Sequence, residues 1–338
     1  MAAGQDAVAA RRLAATTGAL HPWTPELFTW LAQTTEPFDV MAGMTIVFEP
    51  LILAAQHFAR RRGKPFVIYP LTHLGVGPTP GHDAVSRFYT MRHQVDLVLN
   101  SAFLIAINED EADFYRARGL ASDRTLVAGP GIELAELAGG DGARLRQRFG
   151  LEGPVVGVLS AMAYDKGTVH VVEAVRALWR QGRAINLVLA GAVLTQFQQY
   201  LDALPADERS RIVLLGPVDH QTKLDLLDAI DMLALPSRTD SFGIVFLEAW
   251  AYGKPVIAAE AWGVRTVVDA NRDGLLVPFG DVEALAGAIW KLAADAALRR
   301  RLGESGRAKV QRQHTWQHKY PSIQQVYARL SQEASGAA

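Results

Sequence analysis

The sequence of 338 residues contains no cysteine. Disulfide bonds, thiolate nucleophiles and cysteine-based zinc sites are therefore excluded. The lack of cysteine also fits a cytosolic protein, and the first twelve residues do not contain the apolar run of a secretory signal. We therefore expect a cytoplasmic location.

An excess of charge of either sign is also absent. The 34 Lys and Arg residues are balanced by 35 Asp and Glu residues, which gives a formal net charge of −1. Residues 1–150 carry 14 basic and 15 acidic side chains, and the rest of the chain carries 20 of each. A protein that coats nucleic acid needs a large positive excess. The sequence therefore predicts no nucleic-acid partner.

A run of residues that could cross a membrane is missing as well. Residues 65–82 contain no Asp, Glu, Lys or Arg, but their four prolines are incompatible with a membrane helix. Peripheral contact with a membrane stays open, because the basic run from Arg60 to Lys64 would be attracted to anionic lipids. The alternative is that this run is simply the basic C-terminal end of a helix.

Short apolar runs alternate with amphipathic helical patterns along almost the whole chain. Runs that are apolar at every position are typical of strands covered on both faces, which indicates parallel sheets in an α/β fold. The candidate strands are Phe66–Tyr69, Leu97–Leu99, Phe103–Ile107, Val155–Leu159, Ile185–Ala190, Ile212–Leu215, Met232–Leu235 and Pro255–Ala258.

A glycine-rich segment at 129–141 divides this pattern into two parts. Residues 142–312 are predicted to form a complete doubly wound domain, and residues 1–135 a smaller α/β domain. Apolar residues at three- and four-residue spacings predict a helix over 313–332, which we expect to dock on the first domain. Ligands of open α/β sheets bind beyond the carboxyl ends of the strands, so the expected site is a cleft between the domains.

The segment 235–255 carries the clearest chemical signal. It contains the end of a candidate strand and then a helix that is predicted to begin near Gly243, with Asp240 and Ser241 at positions typical of helix caps. The free backbone N–H groups at the start of such a helix favour a phosphate or diphosphate.

Two carboxylates in this segment, Asp240 and Glu248, are eight residues apart. One precedes the helix and the other lies about 1.5 turns inside it, so they are better suited to hydroxyls at two ends of one ligand than to acid–base pairing. The alternative is that Asp240 is only a cap and Glu248 a solvated residue. The apolar run IVFLEAWA around Glu248 favours a buried carboxylate with a partner.

Two further residues have both a functional and a structural interpretation. Lys166 lies in a loop between a candidate strand and a helix, where it can reach a diphosphate or serve as an ordinary surface lysine. His73 is followed by the glycine-containing loop Gly75-Val76-Gly77, which favours a position in a cleft. A lone histidine is also often a hydrogen-bonded structural residue.

Five short motifs occur in the second half of the chain, separated by other residues. They are KG (166–167), LAG (189–191), LLGPV (214–218), PSRTDSFGIVFLEAWAYGKPVIA (236–258) and DGLLVPFGD (273–281). In this order they resemble the family-4 retaining glycosyltransferases of GT-B fold. Shorter pieces, such as KPFVIYPLTH (64–73), resemble the acceptor domain of that family. The resemblance implies two Rossmann-like, doubly wound domains facing a cleft, with a shortened N-terminal domain.

The resemblance also implies a role for each matching residue. Lys166 would hold the donor diphosphate, Asp240 would contact the transferred sugar, and Glu248 would hold the donor ribose. His73 would line the cleft opposite the donor sugar. The other implied donor-binding residues are Gly191, Pro217, Val218, Ser241, Phe242, Gly243 and Ile244.

The implied reaction is transfer of a sugar from a nucleotide-diphosphate sugar to a hydroxyl of a glycan, lipid-linked or small-molecule acceptor. The configuration at the anomeric carbon would be retained, and the leaving phosphate would take the acceptor proton. No cofactor beyond the donor substrate is implied. The chain has no Asp-x-Asp triplet, so we expect no dedicated metal site for the diphosphate.

Three departures from the family pattern leave other functions open. The first acid is Asp240 instead of glutamate, and Ala161 or Met162 stands where the family has an arginine. No first strand with a glycine-rich loop is visible before residues 13–33. The alternatives are a catalytically impaired GT-B protein that binds a sugar nucleotide and a GT-B sugar-nucleotide epimerase.

Overall fold

The computed structural model describes residues 24–336, which form two compact units. Within these residues, the first unit contains 24–129 together with 319–336. The second unit contains Pro130–His318. The chain therefore passes from the first unit into the second and returns to the first at its end.

The first unit contains a four-stranded parallel sheet with the order β1-β2-β3-β4. Its strands are β1 (Met41–Met44), β2 (Phe66–Tyr69), β3 (Phe103–Ala106) and β4 (Thr125–Val127). Its helices before residue 129 are α1 (Pro25–Gln33), α2 (Glu49–Arg61), α3 (Arg92–Leu99) and α4 (Glu109–Arg116). Parallel strands need crossover connections, which is why a helix lies between each two successive strands of this sheet.

The second unit contains a six-stranded parallel sheet with the order β10-β9-β8-β5-β6-β7. Its strands are β5 (Val155–Leu159), β6 (Asn186–Ala190), β7 (Ile212–Gly216), β8 (Met232–Leu235), β9 (Val256–Ala259) and β10 (Gly274–Val277). Its helices are α5 (Gly142–Phe149), α6 (Thr168–Arg180), α7 (Thr195–Asp202), α8 (Ala206–Arg209), α9 (His220–Ala229), α10 (Ile244–Ala251), α11 (Val264–Val267), α12 (Val282–Ala294) and α13 (Ala296–Gln313).

Strand β5 lies at the centre of the second sheet and pairs with β6 on one side and β8 on the other. Val156 and Val158 of β5 are fully buried, as expected for a strand covered by helices on both faces. The strand order reverses at this position, because the chain moves outward from β5 to β7 and then returns to β8. A reversal of this kind opens a crevice at the carboxyl ends of the two central strands.

The last helix, α14 (Trp316–Gly336), continues from the second unit into the first. Val326 and Leu330 pack with Val67 and Phe103 in the core of the first unit. Although α14 has 21 residues, no helix between residues 24 and 336 is both long and apolar enough to cross a membrane.

The strand predicted at Leu97–Leu99 is wrong, because these residues form the last turn of α3. A three-residue apolar run does not distinguish a strand from the buried face of a helix. Strands β1, β4 and β10 are not among the predicted strands. No residue of β1 or β4 is buried, so neither has the two covered faces on which the prediction of strands relies. We also expected the first strand of the family to be missing at the start of the chain. That prediction concerns residues before 24, which lie outside the described residues.

A buried lysine ties α13 to the loop before β10. The ammonium of Lys309 lies 2.8 Å from a carboxylate oxygen of Asp273 and 2.9 Å from one of Asp269. The side chain of Asp273 is 1% exposed, whereas that of Asp269 is 50% exposed. Burial raises the pKa of Asp273, and the charge and hydrogen bond of Lys309 oppose this rise. Lys309 therefore compensates a carboxylate that water cannot solvate.

We expect Lys309→Met to lower the free energy of unfolding by about 3–5 kcal/mol, because it leaves a buried carboxylate without its cation. The measurement is urea unfolding at neutral pH. The double variant Lys309→Met/Asp273→Asn should regain part of the loss, since it removes the unpaired charge. A loss no larger than that of Lys291→Met, which changes an exposed lysine on α12, would contradict this prediction.

Candidate functional site

Most of the predicted site residues lie in loops at one edge of the six-stranded sheet. Because all six strands are parallel, the segments that follow β5, β6, β7 and β8 leave the sheet at the same edge. Lys166 follows β5, Gly191 follows β6, and Pro217 and Val218 follow β7. Residues 240–244 follow β8.

A glycine shapes the loop that carries Lys166. Residues Tyr164–Lys166 form a short 3-10 helix, and Gly167 ends it with a φ of 76°. A side chain at Gly167 would place its Cβ 2.5 Å from the carbonyl oxygen of Pro236. The loop after β5 therefore lies directly against the loop after β8, and glycine is required for this approach.

Lys166 and Asp240 form an ion pair between these two loops. Nζ of Lys166 lies 3.0 Å from Oδ2 of Asp240, and their side chains are 28% and 15% exposed. The prediction that Asp240 caps the following helix is wrong, because the cap position before α10 is occupied by Gly243. The helix begins four residues after Asp240, and the carboxylate pairs with Lys166 instead.

A second ion pair joins the same two loops. Nη2 of Arg238 lies 2.5 Å from Oδ1 of Asp165, and the backbone N–H of Arg238 donates to the carbonyl oxygen of Asp165 at 2.9 Å. The guanidinium also lies over the ring of Phe279, 5.4 Å from its centroid. Sequence reasoning missed this pair. The available signal was an opposite charge close to each predicted residue, Asp165 beside Lys166 and Arg238 two residues before Asp240.

Helix α10 presents backbone donors at its start. Gly243 precedes it with a φ of 81°, and a Cβ at this position would lie 2.4 Å from the ring of Phe246. The first N–H groups of a helix have no intrahelical acceptor and are available to an anion. Phe242 is buried and Ile244 is half exposed. The backbone at this turn is therefore fixed by packing on one side and open on the other.

Glu248 is the only charged residue of α10. Its Oε1 lies 2.7 Å from Nζ of Lys223 on α9, and its side chain is 16% exposed. The structure thus favours the partnered carboxylate over the solvated one. The need for a partner could be inferred from the apolar run, but its identity could not, because Lys223 is 25 residues away.

Gly191 brings the loops after β5, β6 and β7 together. Its φ is 130°, and a Cβ there would lie 1.9 Å from the carbonyl oxygen of Ser160. Its N–H donates to the carbonyl oxygen of Gly216 at 2.7 Å. Gly191 therefore has to be a glycine for local packing alone.

Pro217 and Val218 directly follow Gly216 in the chain, and Pro217 is exposed whereas Val218 is half-buried.

His73 lies in the first unit, in the loop after β2. Its ring stacks on that of Tyr89 with centroids 4.4 Å apart. The backbone N–H of the preceding Thr72 donates to the buried carboxylate of Glu111 at 2.5 Å. Burial raises the pKa of Glu111, while the hydrogen bonds that it accepts from backbone N–H groups lower this pKa. The ring of Tyr89 and the carboxylate of Glu111 thus hold the loop that carries His73.

The edge of the second sheet combines groups suited to a phosphorylated, hydroxyl-rich ligand. Lys166 and the start of α10 offer a cation and N–H donors for an anion, and Asp240 and Glu248 offer acceptors for hydroxyls. Within residues 24–336, no group of three or more His, Asp or Glu side chains could hold a metal ion.

Residues 143–309 match the family model of glycosyl transferases group 1. The D-inositol 3-phosphate glycosyltransferase of Xylanimonas cellulosilytica is 33% identical over 246 residues, which cover 70% of this chain and 58% of that protein. The α-D-kanosaminyltransferase of Streptomyces kanamyceticus is 30% identical over 166 residues, which cover 48% and 42%. The chain therefore spans less than two thirds of the length of these relatives.

A solved structure identifies the fold. The Anabaena protein HepE in complex with UDP matches with a TM-score of 0.72 and 20% sequence identity, over 94% of this chain and 83% of that chain. The fold is GT-B. The prediction of an α/β fold of GT-B type is thereby confirmed for the described residues.

The contact between the two loops can be tested with matched glycine variants. Gly167 and Gly182 have φ angles of 76° and 74°, but a Cβ at Gly182 has no atom within 4 Å. We expect Gly182→Ala to cost about 1–2 kcal/mol through backbone strain alone. Gly167→Ala should cost about 1–3 kcal/mol more, because the methyl group also forces the loops apart. Urea unfolding measures both, and equal losses would show that the loops do not touch as described.

Proposed function

We propose that this GT-B protein is a family-4 retaining glycosyltransferase that moves a sugar from a nucleotide-diphosphate sugar to a hydroxyl acceptor without a dedicated metal ion. The second unit would bind the donor and the first unit the acceptor. The observation that carries the proposal is the Lys166–Asp240 ion pair at the sheet edge, next to the start of α10. The match of residues 143–309 to glycosyl transferases group 1 supports it.

In this proposal the leaving diphosphate is stabilised by charge and by backbone donors. Negative charge builds up on the diphosphate as the bond to the sugar breaks. Lys166 and the N–H groups of Phe242, Gly243 and Ile244 would face that charge at fixed positions. The Lys166 side chain is mostly shielded from water, so its interaction with a phosphate is stronger than that of an exposed lysine.

Asp240 would contact hydroxyls of the transferred sugar, with Ser241 beside it. In the structure its carboxylate is paired with Lys166. A bound diphosphate would compete for Lys166, which frees Asp240 to accept hydrogen bonds from the sugar. The acceptor hydroxyl would attack the anomeric carbon from the face that the diphosphate leaves, and the leaving phosphate oxygen would take its proton.

The rest of the donor would lie along the same edge of the sheet. Glu248 would accept hydrogen bonds from the ribose hydroxyls, and Pro217 and Val218 would lie against the base. Gly191 would allow the phosphates to pass close to the backbone. HepE was solved with UDP, so UDP is the first probe to use, and the inositol phosphate of the relatives suggests a polyhydroxyl acceptor.

We expect Lys166→Ala and Asp240→Ala each to lower kcat/KM by about 100-fold or more, the loss typical when a fixed charge-stabilising group is removed. Both residues lie in loops, so the melting temperature should stay close to that of the wild type. The assay follows release of nucleoside diphosphate across a panel of donors and acceptors. Lys291→Ala provides the matched control on an exposed lysine.

Calorimetry with UDP and the other ribonucleoside diphosphates tests the proposal directly. If the wild-type protein binds none of them, the proposal fails. Binding without transfer to any acceptor would instead favour an impaired sugar-nucleotide binder. Conversion of the donor sugar to an epimer, without an acceptor, would favour an epimerase.

His73 is included in the proposal as a residue of the acceptor unit. We expect His73→Phe, which keeps a ring against Tyr89, to lower kcat about tenfold through loss of one hydrogen bond in the transition state. Its Kd for UDP should change by less than about twofold. His57→Phe, at an exposed position of α2, is the control. Unchanged kcat in His73→Phe would remove this residue from the site.

A further inference from the structure

Glu248 lies on an apolar helix, so its carboxylate depends on a partner, which is Lys223. Helix α10 is almost wholly apolar, and Phe246, Leu247, Ala249 and Trp250 have no exposed surface. A carboxylate on such a helix loses much of its hydration and needs a compensating group. Nζ of Lys223 provides that group, 2.7 Å from Oε1 of Glu248.

Lys223 reaches Glu248 from a fixed position on a neighbouring helix. Its side chain is 25% exposed, and helix α9 is capped by Asp219, which accepts the N–H of Thr222 at 2.7 Å. His220 lies three residues earlier on the same face of α9, and its Nε2 is 2.9 Å from the carbonyl oxygen of Glu136. The start of α9 is therefore anchored at two points, which limits the movement of Lys223.

Lys223 and Glu248 line one pocket of about 150 Å³. Glu136 and His220, whose contact anchors the start of α9, also line it. Its volume is below the roughly 300–1,000 Å³ typical of sites for whole small molecules. The pocket thus suits one fragment of a larger ligand, held by the polar groups at its wall.

We propose that Lys223 is a positioning residue that makes the donor site selective for ribonucleotides over deoxyribonucleotides. This inference rests on the proposed function, in which Glu248 accepts hydrogen bonds from the donor ribose. Lys223 occupies Oε1, which fixes the carboxylate plane and directs Oε2 to the ribose hydroxyls.

The selectivity follows from the difference between the two ribose forms. A ribose presents both a 2′- and a 3′-hydroxyl to a fixed carboxylate, whereas a 2′-deoxyribose leaves one of the acceptor positions unfilled. A partly desolvated charge that loses a hydrogen bond on binding costs the complex about 10- to 100-fold in affinity. Without Lys223 the carboxylate can turn, and this difference should become small.

The test compares binding of each ribonucleoside diphosphate with that of its 2′-deoxy counterpart by calorimetry on the full chain. The wild type should prefer the ribose form by about tenfold or more. In Lys223→Met, binding of the ribose form should fall about tenfold, while binding of the deoxy form changes by less than about twofold. Lys223→Arg should restore the preference, because it returns a cation to Glu248.

Two further variants separate this role from a general effect on the fold. Glu248→Gln should also remove the preference, and Lys223→Met/Glu248→Gln should lower binding no further than either single change. Lys291→Met should leave both affinities unchanged. If Lys223→Met does not fold, Lys223→Gln is measured in the same way.

The outcomes distinguish this inference from the function on which it rests. If the wild type binds no nucleoside diphosphate, the proposed function fails and the role of Lys223 fails with it. If the wild type binds and a folded Lys223 variant keeps the wild-type ratio of ribose to deoxyribose affinities, the role of Lys223 is wrong and the proposed function stands. If Lys223→Met loses the preference for the ribose form and Lys223→Arg regains it, the positioning role of Lys223 is supported.

Discussion

The pairing of β5 with both β6 and β8 is the constraint on which the candidate site depends. It places the ends of the two central strands side by side, although their residues are separated by about 75 positions in the chain. The loops that follow have to pass each other at the sheet edge, and Gly167 allows them to touch. Every charged contact of the Lys166 loop with the loop after β8 follows from this approach.

The charges on these two loops pair with one another. Lys166 pairs with Asp240, and Arg238 pairs with Asp165, so each loop contributes one acid and one base. Such an arrangement holds the loops in place without leaving a net charge at the edge.

The sequence was most informative where one motif carries both the residues and their local structure. Lys166, Asp240 and the start of α10 follow from strand–loop–helix patterns, and the apolar run around Glu248 indicates a partnered carboxylate. The partners themselves depend on which strands become neighbours, which no local pattern contains. The same limit explains Leu97–Leu99, where only packing decides between strand and helix.

Paired charges at the site have a consequence for how a donor would be recognised. A diphosphate gains little from a lysine that already has a carboxylate partner, unless that carboxylate finds new partners at the same time. The sugar hydroxyls are the groups that would supply them, because they would lie next to the phosphate in the donor. Binding of the phosphate to Lys166 and of the sugar to Asp240 would therefore favour each other. A nucleoside diphosphate without a sugar would have to leave the Lys166–Asp240 pair in place or bind at its expense, so the backbone donors of α10 would carry more of its affinity.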